Sequence, residues 1–326
     1  MTLATSAGTT NAVHARGVSR VFASGVGVHE LDLDVEAGTI FGFIGPSGSG
    51  KTTTVRLLTG VLAPDEGDLT VLGKPPVDFD RTERTQLGYM PQTSVLYPDL
   101  NLWENLGFCA SLFGMPWRGR RRRMEEMFEL VELTDAKHRL MRQASTGMQR
   151  RLSLAATLIH EPDFLFLDEP TAGIDPVLRR KFWDHFAGLR DQGRTFFVTT
   201  QYVGEAAFCD QVGVLANGRL LTVDTPDGLR RQAFGGEVVD ISLASPISAT
   251  DLEEMVRAAS AAQSQRIDSN TIRLTVESAG DVAPLLSSWA LERGIEIEAI
   301  DQFLPPFDDV FVELVSRLAP TPENGR

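Results

Sequence analysis

The sequence predicts an α/β chain: a sheet-based first domain with a helical insertion, followed by a small C-terminal α+β domain. Three observations carry that prediction. An apolar strand over residues 39–44 runs straight into a glycine loop and a helical pattern at 52–59. Strand character returns at 164–167 and 195–200 around a helical stretch at 176–189, the rhythm of parallel βαβ units. Beyond Pro226, three short strands alternate with three helical stretches and no further glycine loop appears.

In chain order, residues 1–11 read as a flexible tail, and strands follow at 14–22 and 28–35, the second alternating apolar and polar residues as a half-buried strand does. Residues 98–159 turn helical, with breakers at Gly114, Pro116 and Gly147, and form a subdomain that interrupts the sheet. Strands at 211–215 and 219–223 flank Asn217 and Gly218, a strong hairpin-turn pair. Thr225 and Pro226 then close a first domain over residues 12–225. Strands at 237–243, 271–276 and 295–300 and helices at 249–259, 281–292 and 308–318 make an accessory domain over 226–318, and 319–326 is a frayed end.

Composition narrows the function. With 42% hydrophobic and 23% charged residues among 326, the chain is neither disordered nor collagenous nor a disulfide scaffold. The 44 acidic against 31 basic residues leave a charge of −13, which opposes nucleic acid as a partner. No run approaches the roughly 18–20 apolar residues of a spanning helix, and the start lacks a secretory pattern, so a cytoplasmic protein is expected. Cys109 and Cys209 lack metal-ligand spacing and read as reduced core residues.

The chemistry sits in two motifs. Residues 45–52, GPSGSGKT, fit G-x-x-x-x-G-K-[ST] between a predicted strand and helix. Gly45, Pro46, Ser47, Gly48, Ser49 and Gly50 let backbone N–H groups turn inward on a triphosphate. Lys51 would reach its β and γ phosphates, Thr52 would offer a hydroxyl to Mg²⁺, and Thr53 continues the helix start. The plain alternative is a glycine turn with an exposed lysine. The second motif, FLFLDE over 164–169, is a buried strand ending in two carboxylates, whose burial is costly unless they meet a cation or donors. Asp168 suits Mg²⁺, and Glu169 suits a base that takes a proton from, or orients, an attacking water.

The order of these motifs resembles the ATP-binding subunits of ABC transporters over roughly residues 12–225, which implies a P-loop NTPase of the ABC type with a mixed sheet. Gly88, Tyr89, Met90, Pro91 and Gln92 look like the Q-loop, with Gln92 a further Mg²⁺ ligand. Ala144, Ser145, Thr146, Gly147, Met148 and Gln149 look like the signature motif, and Asp175 lies in a D-loop-like stretch. Phe22 falls where the family stacks an aromatic on adenine, a core phenylalanine being the other reading. The resemblance further implies ATP and Mg²⁺ as cofactors and a head-to-tail dimer in which each signature closes over the other copy's nucleotide. The implied setting is the cytoplasmic face of the membrane, docked on separate membrane subunits.

Two departures from the family pattern stand out. Thr146 and Met148 replace a glycine and a glutamine of the signature, a form similar to members with ABC-2-type membrane partners. Gln201 stands where the family usually has a switch histidine; it can donate an N–H to a γ-phosphate but carries no proton charge. Glu169 and Gln201 are therefore the expected catalytic pair. The C-terminal domain resembles the extension of drug- and antibiotic-exporting members, so export is the expected activity, against a non-transport or regulatory ATPase of weak turnover. Tyr97, Leu102, Trp103 and Leu106 form either an apolar face for the membrane partner or the subdomain core. The resemblance implies that the transported substrate is chosen by membrane subunits outside this chain.

Overall fold

The computed structural model describes residues 11–318, and the chain divides into two compact units between Val223 and Asp224. The first opens with β1 (Asn11–Val21) and β2 (Gly27–Glu36), then β3 (Ile40–Ile44), α1 (Lys51–Leu58), β4 (Glu66–Val71), α2 (Arg81–Gln86) and β5 (Leu87–Met90). Three helices follow, α3 (Leu102–Leu112), α4 (Trp117–Leu130) and α5 (Thr146–Leu158). The chain returns to the sheet through β6 (Phe164–Asp168), α6 (Pro176–Asp191), β7 (Thr195–Thr200), β8 (Gln211–Ala216) and β9 (Arg219–Asp224).

Two sheets result. A three-stranded antiparallel sheet has the order β2-β1-β4, and a six-stranded one has the order β5-β6-β7-β3-β8-β9. From β5 to β8 every neighbour is parallel, and β3, β6 and β7 are buried throughout: their phenylalanines pack on α1 and on the apolar residues of β1, β2 and β4. Phe41 stacks on Phe197 at 5.4 Å and Phe164 meets Phe166 at 4.2 Å, all fully buried. Each such side chain contributes about 1.5–3 kcal/mol of burial, so the carboxyl ends of these strands are firmly placed. Asn217 and Gly218, both left-handed with φ of 50° and 75°, turn β8 into β9.

Helix starts are fixed locally. Asn101 and Glu104 form a reciprocal capping box on α3; Asp175 accepts from the Val177 and Leu178 amides ahead of Pro176 on α6. In α4, Gly119 at φ 89° breaks the first turn, so the continuous helix begins at the arginine run. Arg121 pairs with Glu125 at 3.1 Å on its exposed face.

The second unit holds α7 (Pro226–Phe234), β10 (Glu237–Leu243), α8 (Ala249–Ala258), β11 (Gln263–Arg266), β12 (Thr271–Val276), α9 (Ala279–Arg293), β13 (Ile297–Phe303) and α10 (Phe307–Leu318). Its antiparallel sheet, in the order β11-β12-β10-β13, buries Ile241, Leu243, Ile272 and Leu274 against Met255, Leu286 and Trp289 of α8 and α9. Arg273 makes two bonds to its cross-strand neighbour Asp240, at 2.7 and 2.8 Å.

Several expectations need correction. Helix α7 was not expected; the Thr225 hydroxyl accepts from the Gly228 amide and starts it. Strands β4, β5 and β11 were not expected: β4 begins with Glu, Gly and Asp, β5 has four residues, and β11 is QSQR without an apolar side chain. Leu102 and Leu106 are fully buried and fill the subdomain core, and Trp103 stacks on Phe128 at 5.5 Å, which leaves Tyr97 as the exposed member of that set. Cys209 is buried, Cys109 only half so, and both are free thiols. The expectations for the chain ends fall outside the described residues except at Asn11, which opens β1.

Candidate active site

Parallel strands deliver their following loops to one edge of the sheet, and the order β5-β6-β7-β3 lines up four of them. Met90 pairs with Leu167, Asp168 with Thr199, and Thr200 with Ile44, so Gln92, the two carboxylates, Gln201 and the glycine loop emerge side by side. Residues far apart in sequence thus share one small region.

The glycine loop depends on its missing side chains. Gly48 and Gly50 are left-handed, at φ 79° and 109°, and a Cβ on Gly45 would lie 2.3 Å from the Leu215 carbonyl. Ser49 is buried, with its hydroxyl unpartnered among the described residues. Lys51, 5% exposed, donates to the Gly45 and Pro46 carbonyls at 2.8 and 3.0 Å. Burial pushes its ammonium below the ordinary lysine range, and the Glu169 and Asp168 carboxylates push back.

The carboxylates are tied into this loop. The Thr52 hydroxyl donates to Asp168 at 2.8 Å, and Thr199 donates to the other Asp168 oxygen. Gln92 donates to Glu169 at 3.3 Å, and Ser47 donates to the Gln201 carbonyl oxygen at 3.3 Å. Glu169 is itself left-handed, φ 54°, a conformation that costs a non-glycine residue about 1–3 kcal/mol. Its amide bonds to the Thr199 carbonyl and hydroxyl at 3.0 and 3.1 Å. Arg150, from α5, donates to its carbonyl, to that of Asp168 at 2.7 Å and to that of Gln92. Charged hydrogen bonds of this kind are worth about 1.5–3 kcal/mol each, enough to offset the strain.

Arg150 is the residue that sequence reasoning missed. It sits just past the signature-like stretch, but its carbonyl partners, Gln92, Asp168 and Glu169, become neighbours only in the fold.

Ser145, Thr146, Gly147, Met148 and Gln149 stand apart from the loop. Ser145 caps α5 by accepting from the Met148 amide at 3.2 Å, Gln149 donates to the Met141 and Ala144 carbonyls, and Arg139 reaches the Met148 sulfur. Ser145 and Thr146 are exposed. Asp175 caps α6. Phe22 is not a core residue: it lies in the β1–β2 turn, 39% exposed, with the Arg20 guanidinium 5.6 Å from its ring centre.

Comparison with known proteins decides the family. Residues 28–172 match the family described as ABC transporter. The daunorubicin resistance ATP-binding protein DrrA3 of Streptomyces coeruleorubidus is 35% identical over 93% of this chain and 95% of its own length. The chain belongs to the ATP-binding subunits of ABC transporters. Its first unit has the fold of an ABC-type ATPase cassette. A second relative, "Probable multidrug ABC transporter ATP-binding protein YbhF" of Escherichia coli, is 36% identical over 70% of this chain, which spans only 39% of that longer protein. The Nod factor export ATP-binding protein I of Cupriavidus pinatubonensis is 37% identical over 69% of this chain and 70% of its own length. Among solved structures, an ATP-binding subunit of an ABC transporter superimposes with a TM-score of 0.63 at 27% identity, covering 68% of this chain and 93% of that one. The dimeric cassette MJ0796 with ADP and Pi matches this ABC fold at a TM-score of 0.61 and 24% identity, covering 65% of this chain and 98% of its own.

Proposed function

We propose that this cassette hydrolyses MgATP as a head-to-tail homodimer and thereby drives export through separate ABC-2-type membrane subunits, bound peripherally at the cytoplasmic face of the membrane. One observation carries the catalytic half of this reading: the phosphate loop, Asp168 and Glu169 converge at one edge of the sheet, with Thr52 and Asp168 in direct contact.

In this reading Lys51 gives up its loop carbonyls for the β and γ phosphates, while the residues 45–53 wrap them with backbone amides. Mg²⁺ fits the oxygen donors of Thr52, Asp168 and Gln92, since it binds through few protein ligands plus phosphates; when present it neutralises phosphate charge. Glu169 accepts the proton of the attacking water, oriented by the Gln92 amide. Ser47 occupies the carbonyl oxygen of Gln201, which leaves the amide hydrogens to point at a γ-phosphate oxygen. Phe22 offers its half-exposed ring to adenine. Ser145, Thr146, Gly147, Met148 and Gln149, at the amino end of α5, wall the partner copy's nucleotide with the help of Asp175. Because ATP then stabilises the closed pair and its products do not, hydrolysis opens the pair and supplies the stroke.

A groove of about 780 Å³ between α1, α2, β5 and the end of α3 supports a membrane partner. Val61, Leu87, Tyr89, Leu112 and Phe113 line it, with Arg81 and Arg84 on its side; Leu112 is 63% exposed. It lies beside β5, two residues from Gln92, so a docked helix there would feel the state of the site. No helix among the described residues is long and apolar enough to cross a membrane. Leu112→Glu is expected to release the protein from co-expressed membrane subunits in detergent pull-downs while ATP binding stays unchanged; full retention refutes this groove.

The catalytic reading is tested by single-turnover hydrolysis of radiolabelled ATP by the purified dimer. Label that stays intact while dimers form sinks it in favour of a regulatory clamp of weak turnover. Gln201→His is expected to keep turnover within about tenfold of the unaltered protein or raise it, since an imidazole N–H replaces an amide N–H at the same place. Complete loss in the same assay argues against the γ-phosphate role of Gln201.

A further inference from the structure

We propose that Arg150 is a positioning residue that ties the catalytic carboxylate of one nucleotide site to the helix that closes over the other. The inference rests on the head-to-tail pairing above.

Arg150 lies in the second turn of α5, and its half-buried guanidinium spans carbonyls from two separate segments. One nitrogen donates to Gln92 after β5; another donates to both Asp168 and Glu169 at the end of β6. The planar fork holds its two terminal nitrogens apart in fixed directions and so reaches both segments at once, whereas a lysine offers its donors from a single point. The neighbouring Arg151 points elsewhere, donating to the Val131 and Glu132 carbonyls and fastening α5 to the end of α4. Adjacent side chains therefore bolt one helix to its own subdomain and to the catalytic strand end. The amino end of the same helix carries Ser145 as its cap and Gly147 in its first turn. At 1.5 Å per residue, about 7.5 Å of rigid helix separates Ser145 from Arg150, so a displacement at one is felt at the other.

The carbonyls held are those whose placement matters. Glu169 is kept in its left-handed conformation by bonds on both sides, the Thr199 pair at its amide and Arg150 at its carbonyl. Gln92 is the side chain in contact with the Glu169 carboxylate. A shift of α5 of about 1 Å would loosen all three bonds, and misplacement on that scale costs up to about 100-fold in rate. Seating of α5 on the partner's nucleotide would thus license hydrolysis at the copy's own site, a physical route for the two sites to alternate or cooperate.

Mixed dimers of two differently tagged copies test this. The reference pairs an unaltered copy with Glu169→Gln, leaving one working site. In the first test dimer Arg150→Ala lies in the copy with intact Glu169; in the second it lies in the Glu169→Gln copy, whose α5 walls the working site. We expect kcat to fall about 100-fold in the first and about 10-fold in the second. ATP affinity should stay within about threefold and the melting temperature near that of the reference. Arg150→Gln, which keeps two donors, should recover part of the rate and guards against a misfolded alanine variant. Turnover of the second dimer at the reference rate overturns the link and leaves Arg150 only a support within its own site. An unaltered chain that hydrolyses ATP as a monomer overturns the pairing, and the link with it.

Discussion

Glu169→Gln stops steady-state ATP hydrolysis, by roughly 10²–10⁴-fold, and accumulates an ATP-loaded dimer: this is the expected result if the carboxylate is the base. The change keeps size and shape at a residue 8% exposed, so packing is preserved. The new amide oxygen still accepts from Gln92, and the backbone bonds to Thr199 and Arg150 do not involve the side chain. What disappears is proton affinity. Phosphate release and gel filtration in ATP check both halves; hydrolysis at the unaltered rate removes Glu169 from the mechanism. Failure to accumulate dimers despite lost turnover would instead place the defect in pairing.

Lys51→Ala has the second large effect, loss of nucleotide binding itself. The ammonium is almost fully buried against the loop it serves, and nothing else in residues 45–53 carries a positive charge. Truncating a buried charged partner costs about 2–5 kcal/mol, which corresponds to roughly 30- to 5,000-fold in affinity. A fluorescent ATP analogue titrated by anisotropy reads this directly, and a change below threefold would count against the assignment. The alanine also leaves the Gly45 and Pro46 carbonyls without that donor, so a melting curve must accompany the titration. The same lysine sets a pH dependence. Only the ammonium attracts phosphate, and burial lowers its pKa, so affinity should fall with rising pH and begin to do so below the ordinary lysine value of 10.5.

Much of the site is legible in the chain alone. The glycine loop announces itself because its φ angles exclude other residues, and the 164–169 strand because a parallel strand buried on both faces must be apolar until its carboxylates reach the edge. Short or polar elements are not legible in this way. β11 is QSQR, and it pairs through backbone groups that every residue possesses. The role of Leu102 and Leu106 is equally undecidable from spacing, since the same pattern serves a core or a docking face until neighbouring helices are placed.

By itself, then, the sequence determined what is local: the phosphate loop, the caps of α3, α5 and α6, the alternation of strand and helix, and the family these motifs belong to. Tertiary structure alone decided what depends on strand order. Gln92, Asp168, Gln201 and Lys51 come together because β5, β6, β7 and β3 are neighbours, although β7 follows β3 by some 150 residues of chain. The left-handed backbone of Glu169 and the three carbonyls gathered by Arg150 belong to the same class. Hydrogen bonds between distant segments leave no spacing in the chain to read, because their geometry is set by the packing of the strands that carry them.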